Sequence, residues 1–127
     1  MPRRDQPAAH RGLTPEARRR QLAHARDLFN GGEFWLAHEA LETVWRSIIE
    51  RDERRVWQGL IQAAAALLHR ARNNRHGVAA VGAAALAKLS GPQHPAVEFE
   101  TVRFRARLAR ALAGEGDPPR LEWCTDD

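Results

Sequence analysis

Val56-Trp57-Gln58-Gly59-Leu60-Ile61-Gln62-Ala63-Ala64-Ala65-Ala66-Leu67-Leu68-His69 runs without a formally charged side chain through a sequence that otherwise carries 20 basic and 16 acidic residues in 127. A helix facing water on one side needs a strongly polar arc, and this stretch has none. It therefore predicts a central helix, from about Glu53 to Arg72, buried on most sides. It falls short of the roughly 20 apolar residues needed to span a bilayer.

Working outward, Arg51-Asp52-Glu53 reads as a tight polar connection from a preceding helix of about Glu33 to Ile49. At about 100° per residue its apolar stripe is Phe34, Ala37, Leu41, Val44, Trp45, Ile48 and Ile49. Before that, Thr14-Pro15-Glu16 is a helix start: an N-cap, a proline at the first helical position and a carboxylate at the positive end of the dipole. Leu22, Ala25, Leu28 and Phe29 then recur at helical spacing until Asn30-Gly31-Gly32 ends the run.

Downstream, Asn73-Asn74-Arg75-His76-Gly77 reads as a turn. A fourth helix of small residues follows to Leu89, with Gly82 permitting close helix contact. Ser90-Gly91-Pro92 and Pro95 separate it from a fifth, between Val97 and Ala113, with Thr101, Phe104, Leu108 and Leu112 on one face. Val97-Glu98-Phe99-Glu100 alternates like a short strand, but with no second strand in sight it is read as the lead-in to the fifth helix. Gly114-Glu115-Gly116-Asp117-Pro118-Pro119 stops that helix, after which Leu121 and Trp123 are expected to tuck back onto the bundle. The expectation is an all-α bundle of about five helices, mostly antiparallel because the connections are short, over residues 14–113. A flexible arm at 1–13 and a tail at 114–127 flank it.

Cys124 is the only cysteine, which excludes an internal disulfide framework and a cysteine-based zinc cluster and suits a reducing compartment. The charged start, Met1-Pro2-Arg3-Arg4-Asp5-Gln6-Pro7, shows no secretory signal or membrane anchor, so a cytoplasmic location is expected. The net charge is +4, yet Lys88 is the only lysine. Near-total use of arginine with alanine-rich helices points to a compositional preference more than to a phosphate-binding partner. Nucleic-acid binding through Arg18, Arg19 and Arg20 and through Arg103, Arg105, Arg107 and Arg110 is an alternative that this favours less.

Two polar side chains stand where apolar ones belong. His38 lies within the stripe of the second helix, and Glu42, four residues on, lies between the directions of Ile49 and Trp35. A buried carboxylate needs a partner, and an i, i+4 histidine is within reach. On the next helix Gln58, Gln62, Ala65 and His69 share a stripe, so antiparallel packing predicts a polar cluster of His38, Glu42, Gln62 and His69, with the Trp45 nitrogen nearby. One reading is a structural network that fixes helix register. Another is a ligand or metal site: His38, Glu42 and His69 supply two imidazoles and a carboxylate, the donor set of a catalytic divalent transition metal such as zinc or iron, and hence of a metal-dependent hydrolase. His38-Glu39-Ala40-Leu41-Glu42 lacks the second histidine of the H-E-x-x-H peptidase motif, and Glu39 falls on the polar arc. His10, His24, His76 and His94 are expected to face solvent.

The string Phe29-Asn30-Gly31-Gly32-Glu33-Phe34-Trp35-Leu36-Ala37-His38-Glu39-Ala40-Leu41-Glu42-Thr43-Val44-Trp45, with Gln58 to His69 and Asn74-Arg75-His76-Gly77, resembles domain-of-unknown-function family 309, which is mostly bacterial. The resemblance implies an all-helical fold and carries over pattern positions at His38, Glu42, Trp45, Gln62, His69, Asn74 and Gly77, with no role attached to any of them. Val78 departs from the alanine that tends to follow the glycine. Residue reading and resemblance together favour a helical binding or interaction module. Whether it catalyses a reaction or self-associates stays open.

Overall fold

The computed structural model describes residues 12–125. Residues 1–11 of the expected arm and residues 126 and 127 of the tail lie outside that range. Five α-helices follow in order: α1 (Pro15–Asn30), α2 (Phe34–Arg46), α3 (Arg51–Ala71), α4 (Arg75–Lys88) and α5 (Val102–Leu112). The all-α architecture expected from the sequence is the one observed. α3 is its central member, packed against α2 on one side and α4 on the other, while α1 packs on α2 and α5 touches α3 and α4.

Local chemistry sets the helix ends. Thr14 Oγ1 accepts from Ala17 N at 3.0 Å and Pro15 opens α1. At the other end Gly32 takes φ +82°, a left-handed conformation that glycine adopts without strain. Arg51-Asp52-Glu53 is not a connection but the first turn of α3. The Glu50 side chain starts that helix two residues earlier than the hydrophobic pattern suggested, accepting from Asp52 N at 2.9 Å and Glu53 N at 2.8 Å. Likewise Arg75-His76-Gly77 is the first turn of α4, because Asn74 Oδ1 caps Gly77 N at 3.0 Å. Asn73, at φ +57°, makes the reversal between α3 and α4. The second helix closes at Arg46, and Ile49, expected on its apolar stripe, is 74% exposed.

The core is built from Leu22, Ala25 and Phe29 of α1, Phe34, Leu41 and Val44 of α2, Trp57, Leu60 and Leu67 of α3, and Phe104 and Leu108 of α5. Each fully buried side chain of this size contributes roughly 1.5–3 kcal/mol on removal from water. Phe29 joins three helices, its ring centroid 5.3 Å from Phe34 and 5.7 Å from Phe104. On the far side of α4, Gly82 admits Leu112 so closely that an added Cβ would lie 2.8 Å from Leu112 Cδ1.

The segment before α5 differs from the expectation. Val97 to Glu100 is not helical, and α5 begins only at Val102. Phe99 instead forms an isolated antiparallel bridge with Trp123 of the tail: Glu100 N donates to Glu122 O at 2.9 Å and Cys124 N to Glu98 O at 2.8 Å. The partner that the strand-like alternation lacked is the segment around Trp123. Gln93 holds the segment extended, its Nε2 donating to Val97 O and Phe99 O while its Oε1 accepts from Thr101 N. Leu121 is buried as expected, bonded at both backbone polar groups to the Asn30 side chain (2.7 and 3.0 Å), and Trp123 stacks on Phe99 at 4.9 Å.

Candidate functional site

The α2–α3 hairpin fixes where the predicted polar residues meet. Arg54 Nη1 donates to Trp45 O at 3.2 Å and to Ile48 O at 2.8 Å, and its guanidinium lies 4.2 Å from the Trp45 ring centroid. These contacts cap the carbonyl end of α2 and set the hairpin register. Counting equal steps away from Trp45 and Arg54 brings Gln62 opposite the neighbourhood of Ala37 and His38. One face of the Trp45 ring thus meets Arg54, and His38 Nδ1 finds no hydrogen-bond partner among the described residues.

His38 is partly buried at the edge of the hairpin, its imidazole stacked nearly parallel (7°) on the Trp35 indole with centroids 5.3 Å apart. Trp35 itself is 53% exposed. His38 Nδ1 and Glu42 Oε1 are 4.0 Å apart, too far for a hydrogen bond. Glu42 is not a buried carboxylate in need of histidine: its side chain is 30% exposed and lies 3.5 Å from Arg46. What the pairing leaves behind is more informative. Among the described residues, His38 Nδ1 and Gln62 Oε1 are buried side-chain atoms without a hydrogen-bond partner.

His69 belongs elsewhere. It sits in the last turn of α3, about 10 Å along the axis from Gln62 at the helical rise per residue. Its Nδ1 is 3.0 Å from Asn74 Nδ2. Because Asn74 Oδ1 is committed to Gly77 N, its amide nitrogen is the donor, so His69 accepts at Nδ1 and carries its proton at Nε2. The ring rests on the Cα of Gly77. His69, Asn74 and Gly77 meet where α3 joins α4, whereas His38 and Glu42 lie on α2 and Gln62 on the adjoining helix α3. Among the described residues no three His, Cys, Asp or Glu side chains group so as to hold a metal ion, so the proposed donor set of His38, Glu42 and His69 is not brought together.

A polar network of another kind was hidden from sequence reading. Arg18 of α1 donates from Nη2 to Glu53 Oε2 at 3.0 Å, and from Nε and Nη2 to the two oxygens of Glu98 at 2.7 and 2.8 Å. Trp57 Nε1 donates to the same Glu53 oxygen at 3.1 Å. Glu98 first, and Glu53 with it, raises the Arg18 pKa above its ordinary value against the opposing effect of burial. Arg18 is thus not free to meet a phosphate. Arg19 lies over Trp123, Arg105 donates to Leu86 O, and Arg103 and Arg107 pair with Glu100 and Glu122. Several arginines of α1 and α5 thus have partners within the molecule, while Arg103 and Arg107 stay more than half exposed.

Of the remaining histidines, His24 and His76 are exposed as expected and His10 lies outside the described residues. His94 is not solvent-facing. Its Nδ1 accepts from Ala96 N at 3.0 Å and its Nε2 lies 3.3 Å from Glu50 Oε1. Among the described residues no helix is long and apolar enough to cross a membrane.

Comparison with known proteins agrees with the resemblance read from the sequence. Residues 22–81 match the family described as Domain of unknown function (DUF309), a span containing His38, Glu42, Trp45, Gln62, His69, Asn74 and Gly77. An uncharacterized protein of Aquifex aeolicus (strain VF5) is 31% identical over 114 residues, which cover 88% of this chain and 34% of that protein. The chain thus spans about a third of the length of the curated relative it matches. No solved structure gives a significant match. Residues 22–81, just under half of the 127-residue chain and the part that holds the α2–α3 hairpin and the α3–α4 joint, are thus similar to the family described as Domain of unknown function (DUF309).

Proposed function

We propose that this domain is a binding module whose contact groups lie on the α2–α3 seam, with His38 and Gln62 as the polar anchors and Trp35 as an exposed aromatic wall. The observation that carries this reading is the pair of buried atoms, His38 Nδ1 and Gln62 Oε1, that find no partner among the described residues. An unsatisfied buried polar group costs about 1–3 kcal/mol, so a sequence that keeps two of them on one seam has a use for them. A ligand offering a hydrogen-bond donor to Gln62 and a complementary group to His38 would satisfy both while stacking on Trp35. The chemistry fits an amide or carboxylic acid, free or carried on a partner's side chain. A cytoplasmic setting accompanies this reading, since the single thiol of Cys124 suits a reducing compartment.

The test combines stability with binding. Gln62→Met removes the acceptor at similar volume and should leave the free protein as stable as the parent, or slightly more so. Backbone amide spectra titrated with small amides, carboxylic acids and dipeptides should show shifts gathered at residues 35–42 and 58–65 that vanish in Gln62→Met. A variant destabilised by more than about 1 kcal/mol would make the amide a packing element, and the binding reading would fail.

A further inference from the structure

At the other end of the same hairpin, α2, α3 and α4 enclose a shallow cleft of about 540 Å³. Its walls carry Arg51, Arg54, Arg55 and Lys88, with Trp45 and Ile49 beside them, and no carboxylate. Several arginines elsewhere pair with carboxylates: Arg18 with Glu53 and Glu98, Arg46 with Glu42, Arg103 with Glu100, Arg107 with Glu122. Among the described residues Arg54, Arg55 and Lys88 form no ion pair, and the neighbouring acid, Asp52, is engaged by Arg51 Nε at 3.3 Å. Gathering like charges in one cleft opposes folding unless something offsets the repulsion.

Two of the guanidinium groups, those of Arg54 and Arg55, are also held in place. Arg54 is pinned by the carbonyls of Trp45 and Ile48 and by the Trp45 ring. Arg55 Nη1 reaches Ala87 O and Lys88 O, at the end of α4. Lys88 packs beside Gly59, where a side chain on α3 would meet its Cβ at 3.0 Å. Guanidinium groups fixed before a ligand arrives lose little freedom on binding it, and their planar forks match phosphate oxygens. Trp45 and the exposed Ile49 add a flat and an apolar surface at the rim.

We propose that this cleft binds a phosphate group attached to a flat or apolar body, the chemistry of a nucleotide. The phosphate lies among Arg51, Arg55 and Lys88, and the body lies against Trp45 and Ile49. The cleft is separate from the His38–Gln62 seam, so either reading can fail without the other.

Lys88, the only lysine, makes the test direct. The full chain, in phosphate-free buffer, is acylated with an N-hydroxysuccinimide ester in the presence of adenosine monophosphate, pyrophosphate or a single-stranded oligonucleotide, and Lys88 modification is followed by mass spectrometry, with affinities from calorimetry. Adenosine monophosphate is expected to bind with a Kd of about 1 mM or below and to slow acylation of Lys88 roughly tenfold. Arg51→Glu, at a side chain 91% exposed and tolerant of change, and Lys88→Glu should each weaken binding roughly tenfold. Tighter binding of the mononucleotide than of pyrophosphate identifies a free nucleotide as the source. Affinity that grows with oligonucleotide length and falls steeply with salt identifies a nucleic-acid backbone instead. Absence of binding at about 10 mM ligand, unaltered Lys88 acylation, or equal binding by the parent and Arg51→Glu would overturn the proposal.

Discussion

The imidazole of His69 lies flat against the backbone of Gly77, so that a Cβ added to Gly77 would stand 2.5 Å from both Cγ and Nδ1 of the ring. Alanine normally favours a helix over glycine by about 1 kcal/mol, but here the overlap is with a ring held by Asn74. Gly77→Ala should therefore destabilise the fold by about 1–3 kcal/mol in urea unfolding. Adding His69→Ala to that variant should recover part of the loss, and strictly additive effects would show that the two residues are not in tight contact.

Arg18 ties α1 to α3 and to the segment before α5. Arg18→Met would leave Glu53, only 9% exposed, with the Trp57 indole as its remaining side-chain partner. The expected cost is about 2–4 kcal/mol, below the full penalty for a fully buried pair because Glu98 reaches water. A loss under about 0.5 kcal/mol would place this network among ordinary surface ion pairs.

Sequence reasoning assigned His38 the task of neutralising a buried Glu42. The 4.0 Å separation and the Arg46 contact remove that task. His38→Phe should stay within about 1 kcal/mol of the parent, and Glu42→Gln within about 0.5 kcal/mol. Leu41→Ala, in the core one residue before Glu42, should cost about 2–5 kcal/mol. Thermal or urea unfolding of the three variants side by side checks the ordering.

Glu50 caps α3 and carries a pKa below its ordinary 4.5, chiefly because it accepts from Asp52 N, then from Glu53 N, with His94 contributing less. A carboxylate whose folded value lies below its unfolded one stabilises the fold fully above the unfolded value, and that contribution is lost as pH falls through the folded value. The melting temperature should therefore decline on acidification below about pH 4.5, with a shallower acid limb in Glu50→Gln. Identical acid limbs in the two proteins would remove Glu50 from the account.

The tail is part of the fold. Leu121 is buried and bonded twice to Asn30, ninety-one positions away in the chain. Leu121→Ala should cost about 2–4 kcal/mol, and amide exchange should quicken at Glu100 and Cys124, whose bonds join the two segments. An exchange pattern unchanged at those amides would mean that the bridge does not depend on Leu121.

How much was legible follows from the range of the interactions. The first-turn chemistry of α1 at Thr14, Pro15 and Glu16, the burial of Trp57, Leu60 and Leu67, and the tight approach at Gly82 are written in neighbouring residues and in helical period, so the sequence by itself determined an all-α chain with α3 at its centre. It also singled out His38 and Gln62 as polar groups on inward-leaning stripes. Only the tertiary structure decided what meets what. Hydrophobic period does not register a side chain that caps its own helix, which is why Glu50 and Asn74 moved two boundaries. Nor does it reveal a partner distant in sequence, as Trp123 is to Phe99 and Glu98 to Arg18. His38 and His69 share a helical hairpin in the sequence pattern, yet the rise of α3 carries His69 to the α4 joint, where it meets Asn74 and Gly77.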